Sequence, residues 1–229
     1  MPSFDIIKKS KINNTFRNKS IKGQFDLSIN EITEKFSGNI DIENKIWSIG
    51  LIVGSSGSGK TTIAKECFPK SLIDSYNYDN NSVLDNMPKN KTTIEITKTF
   101  NSVGFATAWS WLKPYRVLSN GEKMRVDLAR AILSDSDLIV FDEFTSVVDR
   151  TVAKTASSAI SKSVKKLNKK FVAVSCHYDI IDWLEPCWVY DTNAKRFFFA
   201  QKNTNGQKLK LKLENVIPAN GIYLKNFII

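Results

Sequence analysis

Nine consecutive residues, Gly54, Ser55, Ser56, Gly57, Ser58, Gly59, Lys60, Thr61 and Thr62, have the composition of a loop built to hold phosphate. Glycines at 54, 57 and 59 let the backbone turn with its N–H groups facing inward. Anionic oxygens there meet donors and the positive end of the following helix. Lys60 has the reach for β- and γ-phosphates, and the Thr61 hydroxyl suits a Mg²⁺ ligand. The opposing reading is a glycine-rich turn with a solvated lysine.

Three further sites carry chemistry downstream. Leu138 to Phe141 is an apolar run that ends in Asp142 and Glu143. An aspartate at a strand end can hold hydrated Mg²⁺, while the adjacent carboxylate points elsewhere and can polarise water. Asp142 is therefore the candidate metal residue and Glu143 the candidate base. His177, the only histidine of the chain, follows the apolar run Phe171 to Val174. It is either a catalytic group at a strand end or a core histidine with its hydrogen bonds satisfied. Ser119 and Glu122 have the spacing of a helix N-cap, and the bare backbone of Gly121 between them makes the helix start an anion site. Because the phosphate loop already holds one nucleotide, this second site invites the γ-phosphate of another copy. An ordinary capped helix is the alternative. Charge building on phosphoryl oxygens would then be met by Lys60, Mg²⁺, His177 and the partner's Ser119 and Gly121 N–H.

These groups need elements to hold them. Trp47 to Val53 reads as a strand before the phosphate loop, and Ile63, Ala64 and Cys67 begin a helical pattern after it. Met124, Leu128, Ala131 and Ile132 share a helical face that starts at Ser119. Asp74 to Lys91 is polar and rich in asparagine, a loop with little regular structure. Thr92 to Phe105 is compatible with a helix through Ile94, Ile96, Phe100 and Val103, and Trp109 and Trp111 read as packing anchors. Val152, Ala156, Ile160, Val164 and Leu167 form a helical stripe with lysines 154, 162, 165, 166, 169 and 170 outside it. That lysine face is either a polyanion surface or a solvated one. Leu209, Leu211 and Leu213 alternate with lysines, a half-buried strand pattern.

The chain has 229 residues, three cysteines and a formal net charge of +10. That length suits one α/β unit. Cys67, Cys176 and Cys187 fit neither a disulfide framework nor a zinc site, which places the chain in a reducing, cytoplasmic setting. No apolar run approaches the roughly 20 residues of a spanning helix. The positive charge favours nucleic acid, acidic lipid or an acidic protein, against a lysine-rich surface that only confers solubility.

Leu118, Ser119, Asn120, Gly121 and Glu122, followed by Arg125 and Leu128 to Ile132, resemble the signature motif of the ATP-binding-cassette (ABC) ATPases. Leu138 to Glu143 resembles the family's second phosphate-site motif, Ser146 to Asp149 its dimer loop, and His177 its switch histidine. The string from Trp111 to Glu122 is further similar to small stand-alone ABC-type ATPases of phages and bacteria. The resemblance implies an α/β P-loop NTPase core with a mixed sheet, a short helical insert and an antiparallel strand region. It implies a single domain over 1–229, with 1–75 and 119–229 as nucleotide-binding core and 76–118 as the insert. It also implies ATP and Mg²⁺ as ligands and an ATP-dependent homodimer, in which Ser146 and Asp149 meet the partner. Two departures stand out. No glutamine lies between Thr61 and Leu118, where the family keeps one, and Asp79, Asn80 and Asn81 are open candidates for its place. The stretch between Lys60 and Ser119 is also shorter than in transporter subunits. Both favour an ATPase acting on nucleic acid or protein over a transporter subunit with a membrane partner. A ribosome-acting ATPase is a third reading, weakened because such proteins carry two cassettes per chain. The adenine-stacking aromatic falls among Phe16, Phe25 and Phe36, each also read as a core residue.

Overall fold

The computed structural model describes residues 3–73, 76–200 and two short strands at 213–214 and 223–224. Its centre is a six-stranded sheet in the order β4-β5-β6-β3-β7-β8, formed by β3 (Ile49–Val53), β4 (Leu72–Ile73), β5 (Leu138–Phe141), β6 (Lys170–Ser175), β7 (Trp188–Asp191) and β8 (Arg196–Phe199). All neighbours pair in parallel except β7 with β8, which makes the sheet mixed, as expected. Parallel strands end on the same side. The loops after β3, β5, β6 and β7 therefore lie next to one another along one edge, where open α/β sheets bind ligands.

Successive residues of these strands point to opposite faces, and both faces are covered. Ile49, Leu51, Val53, Ile139, Phe171, Ala173 and Val189 pack with α3 (Thr93–Ser102), α5 (Asn120–Leu133), α6 (Arg150–Lys166) and α7 (Ile180–Leu184). Ile52, Val140, Val172, Val174, Trp188 and Tyr190 pack on the other face with α2 (Lys60–Cys67). Burial on both faces explains why the strands read as continuous apolar runs. Each fully buried aliphatic or aromatic side chain contributes about 1.5–3 kcal/mol.

The second face closes around Trp188, which packs edge-on to Trp47 and lies over Phe68. A Cβ built on Gly50, its register neighbour on β3, would meet the Trp188 ring at 2.1 Å. Gly50→Ala is therefore expected to cost about 1–3 kcal/mol of stability by overpacking. Chemical denaturation measures it, and an unchanged midpoint would show that the indole has room to move.

Outside the main sheet, β1 (Ser3–Lys11) pairs antiparallel with β2 (Glu31–Asn39), and α1 (Phe16–Gln24) sits at the tip between them with no buried residue. This corrects the core reading of two aromatics: Phe16 is 86% and Phe25 62% exposed. Phe36 differs, as described below. A short α4 (Ala108–Trp111) follows α3. Trp111 is anchored as expected, half-buried with its Nε1 donating to the Phe105 carbonyl at 2.8 Å. Trp109 is not a packing anchor, being 79% exposed, because a helix of four residues buries only one side. In the α6 stripe, Ala156, Ile160 and Val164 are buried, whereas Leu167 is half exposed at the helix end. The three cysteines are free. Among the described residues no helix is long and apolar enough to cross a membrane. The alternation at Leu209 and Leu211 lies outside the described residues, and β9 (Leu213–Glu214) pairs antiparallel with β10 (Tyr223–Leu224).

Candidate functional site

The phosphate loop stands between the central strand and a helix, the context its sequence demands. β3 ends at Val53, Gly54 to Gly59 form the loop, and α2 starts at Lys60. Gly57 and Gly59 hold left-handed backbone, with φ of 78° and 85°. Gly59 is doubly constrained, since a Cβ there would meet the Phe36 ring at 2.3 Å. Phe36 therefore lies against the loop and lines its cavity of about 240 Å³, together with Ser56, Thr61, Thr62 and Glu143. Of the three aromatics proposed to meet adenine, it alone borders this space. Lys60 is nearly buried, and its Nζ donates to the Ser55 carbonyl at 2.8 Å.

The turn after β7 braces the loop from behind. Ser58 and Thr192 share a hydroxyl hydrogen bond of 2.6 Å, and the Ser55 hydroxyl donates to Asn193 Oδ1 at 2.9 Å. Asp191, fully buried beneath, accepts from the N–H groups of Asn193 and Ala194 and from the Tyr178 hydroxyl. Burial raises its carboxyl above the usual range, and those bonds only partly oppose the rise. Sequence reasoning missed Thr192 and Asn193. Their polar Thr-Asn pair after an apolar strand was the available signal. It also missed Lys8 of β1, which donates to Thr62 Oγ1 across the cavity mouth.

The two carboxylates follow β5 directly. Glu143 is exposed and lines the phosphate-loop cavity as well as a neighbouring cavity of about 250 Å³ that Asp142 also lines. Asp142 Oδ1 accepts the N–H of Glu143 at 2.9 Å. Both Glu143 (φ 51°) and Thr145 (φ 67°) hold left-handed backbone. Two non-glycine residues in that region within one turn mark a strained loop of the kind that collects at functional sites.

His177 follows β6, which lies between β5 and β3, so its loop falls between the carboxylates and the phosphate loop. Its backbone N–H donates to Ser175 Oγ at 3.1 Å, and its ring is half-buried. Burial first, and Arg150 second, hold its pKa below the ordinary histidine value. Asp179 and Glu143 pull the other way, and Lys60 adds to the lowering. Arg150 Nε donates to Asp179 Oδ2 at 2.8 Å, a second Arg150 nitrogen bonds Asp179 Oδ1, and the guanidinium lies over Trp183. Just before it, Asp149 caps α6 by accepting the N–H groups of Thr151 and Val152, and the Ser146 N–H reaches the Glu143 carbonyl. The dimer-loop candidates are thus tied to the carboxylate turn and to the histidine turn.

Ser119 caps α5 with a full capping box. Its hydroxyl accepts the Glu122 N–H, and Glu122 Oε2 accepts from both the N–H and the hydroxyl of Ser119. The Glu122 carboxyl is held below the usual range, chiefly by the Ser119 N–H and then by Ser110, whose hydroxyl donates to it at 2.7 Å. Leu118 is buried, while Ser119 and Asn120 are exposed. Among the described residues, none from 118–122 lines the phosphate-loop cavity.

Known proteins match this arrangement. A family model described as ABC transporter matches residues 70–146. The zinc import ATP-binding protein ZnuC of Histophilus somni is 29% identical over 196 residues, covering 75% of this chain and 67% of that protein. The methionine import ATP-binding protein MetN of Clostridium tetani is 26% identical over 187 residues, covering 62% of this chain and 57% of that protein. A dimeric bacterial ABC transporter cassette superposes with a TM-score of 0.55 at 14% identity, over 81% of this chain and 94% of that one. The chain thus resembles ATP-binding-cassette proteins in sequence and shares the fold of their ATPase cassettes.

The chain spans a little over half the length of the methionine import relative. As a Mg²⁺ site, Thr61 and Asp142 offer one hydroxyl and one carboxylate, both hard oxygens. That is the sparse protein set magnesium takes when phosphate and water complete its shell; Thr61 lines the phosphate-loop cavity and Asp142 the neighbouring one, with Glu143 lining both. The single histidine also gives the chain a clean probe. Arg150→Ala removes a positive neighbour and frees Asp179, which raises the His177 pKa; both changes favour the protonated ring. A proton NMR titration should show its resonance midpoint moving to higher pH, and a downward or absent shift would contradict the electrostatic account.

Proposed function

We propose that the chain binds Mg-ATP between two head-to-tail copies and hydrolyses it, driving a conformational cycle on a nucleic-acid or protein partner. The observation that carries this reading is the division of the site. Lys60 and Glu143 line one cleft at the sheet edge, with the His177 loop between the turns that carry them, while the Ser119 helix tip stands outside that cleft. A single chain presents half of two sites, and a twofold pairing would complete both.

Within that reading, Gly54 to Thr62 hold the triphosphate and Lys60 neutralises its terminal oxygens. Glu143 takes a proton from the attacking water, and neutral His177 hydrogen-bonds the phosphoryl group as charge grows. Ser119 and the Gly121 N–H would serve the opposite nucleotide, with Ser146 and Asp149 meeting the partner copy. Thr61 and Asp142 would hold Mg²⁺, which when bound offsets phosphate charge as a Lewis acid. The division into a core of 1–75 and 119–229 with an insert of 76–118 belongs to the same reading.

Because the working site needs two copies, specific ATPase activity should rise with protein concentration before levelling. A rate per chain that stays flat on dilution far below the dimer range would end the shared-site account. The net charge of +10 and the absence of a loop glutamine favour a stand-alone ATPase. The import relatives favour the second reading, an ATP-binding subunit of a membrane transporter. Stimulation of hydrolysis by DNA supports the first, and recovery only in a detergent-extracted complex the second.

A further inference from the structure

The segment that leaves the catalytic edge after β4 is tied to the signature helix by a polar clamp. Ile73 pairs with Phe141, the residue before Asp142, so the chain at Tyr76 to Tyr78 departs from beside the carboxylate turn. The rings of Tyr78 and Tyr115 stack at 3.9 Å with planes 5° apart. Both hydroxyls donate to one carboxylate on α5: Tyr78 to Asp127 Oδ1 at 2.7 Å and Tyr115 to Asp127 Oδ2 at 2.6 Å. Arg130, one turn along, lies over the rings of Tyr76 and Tyr78 and donates to the Asn77 carbonyl at 2.9 Å. Burial raises the Asp127 carboxyl, and the two hydroxyl donors work against that rise.

The clamp faces the catalytic carboxylates. Asn120, Lys123, Met124 and Asp127 recur at helical spacing along one side of α5 and line the same cavity as Tyr76, Asp142 and Glu143. The tie thus joins the helix that carries Ser119 at its tip to the turn that carries the base and the metal residue. A surface ion pair would yield under load. A half-buried carboxylate that accepts two hydroxyl bonds between stacked rings resists, since breaking it leaves a charge without donors.

We propose that Tyr78, Tyr115 and Asp127 are positioning residues that hold the α5 tip in register with Asp142 and Glu143 for the hydrolytic step. The proposal rests on the ATPase reading above. It predicts that Asp127→Ala lowers kcat by about tenfold or more, as small misplacements in a reactive geometry do, while ATP affinity of the isolated chain changes by less than about twofold. Asp127→Asn, which can accept from one tyrosine and donate to the other, should recover most of the rate. Tyr78→Phe keeps the stack, removes one bond and should lower kcat by a smaller factor; it serves if the alanine variant fails to fold. A folded Asp127→Ala or Tyr78→Phe chain with unchanged kcat overturns the proposal, as does an equal loss of rate and ATP affinity. Amide exchange in the nucleotide-free chain separates this outcome from failure of the ATPase reading. Loss of the clamp should speed exchange at 76–81 and 120–127 whether or not the wild type turns over ATP, and unchanged exchange there rejects the clamp.

Discussion

Glu143→Gln is expected to bind ATP, hydrolyse it slower by on the order of 10²- to 10⁴-fold, the usual contribution of a general base, and accumulate as an ATP-bound dimer. The side chain is exposed, so glutamine occupies the same space without a packing cost. It lines both the phosphate-loop cavity and the cavity shared with Asp142, so the substitution removes a proton acceptor from the junction of the two. Binding should survive because the donors of the loop are untouched. If hydrolysis resets the dimer, blocking it should trap that dimer. Sizing chromatography with and without ATP, alongside single-turnover hydrolysis, checks both halves. A variant that turns over ATP at the wild-type rate would remove Glu143 from the mechanism, and one that stays monomeric with ATP bound would remove the shared site.

Lys60→Ala should lose nucleotide binding outright. Charge-assisted bonds of this kind are worth about 1.5–3 kcal/mol each, and an ammonium meeting two phosphates makes more than one of them. The predicted loss is therefore about 10²-fold or more in affinity, to be read by calorimetric titration with Mg-ATP. Lys60 is 7% exposed and holds the Ser55 carbonyl in the nucleotide-free chain, so the loop itself should slacken too. Thermal unfolding run in parallel separates a loosened loop from a lost fold. Normal hydrolysis by this variant would withdraw the phosphate-loop assignment.

Much of this site was legible because its logic is local. A strand, a glycine loop and a helix are neighbours in sequence, and the Ser119–Glu122 box spans four residues, so spacing alone announced both. Asp142 and Glu143 were readable as the end of an apolar run for the same reason. What escaped were partnerships between distant residues. Thr192 meets Ser58 across 134 positions, Tyr78 meets Asp127 across 49, and Arg150 meets Asp179 across 29. Periodicity also assumes that apolar side chains go inward. Trp109, Phe16 and Phe25 break that assumption because their short elements stand off from the sheet. Phe36 was among the candidates, but what singles it out is not local: its ring fills space left by a glycine 23 positions away, a complementarity no window of sequence displays.

The turn after β5 sets architecture against reactivity at a single position. Left-handed backbone at Glu143 would be adopted most comfortably by glycine or asparagine. Glutamate there is held against its own backbone preference, and the doubly covered sheet behind the turn supplies the rigidity that makes the strain tolerable.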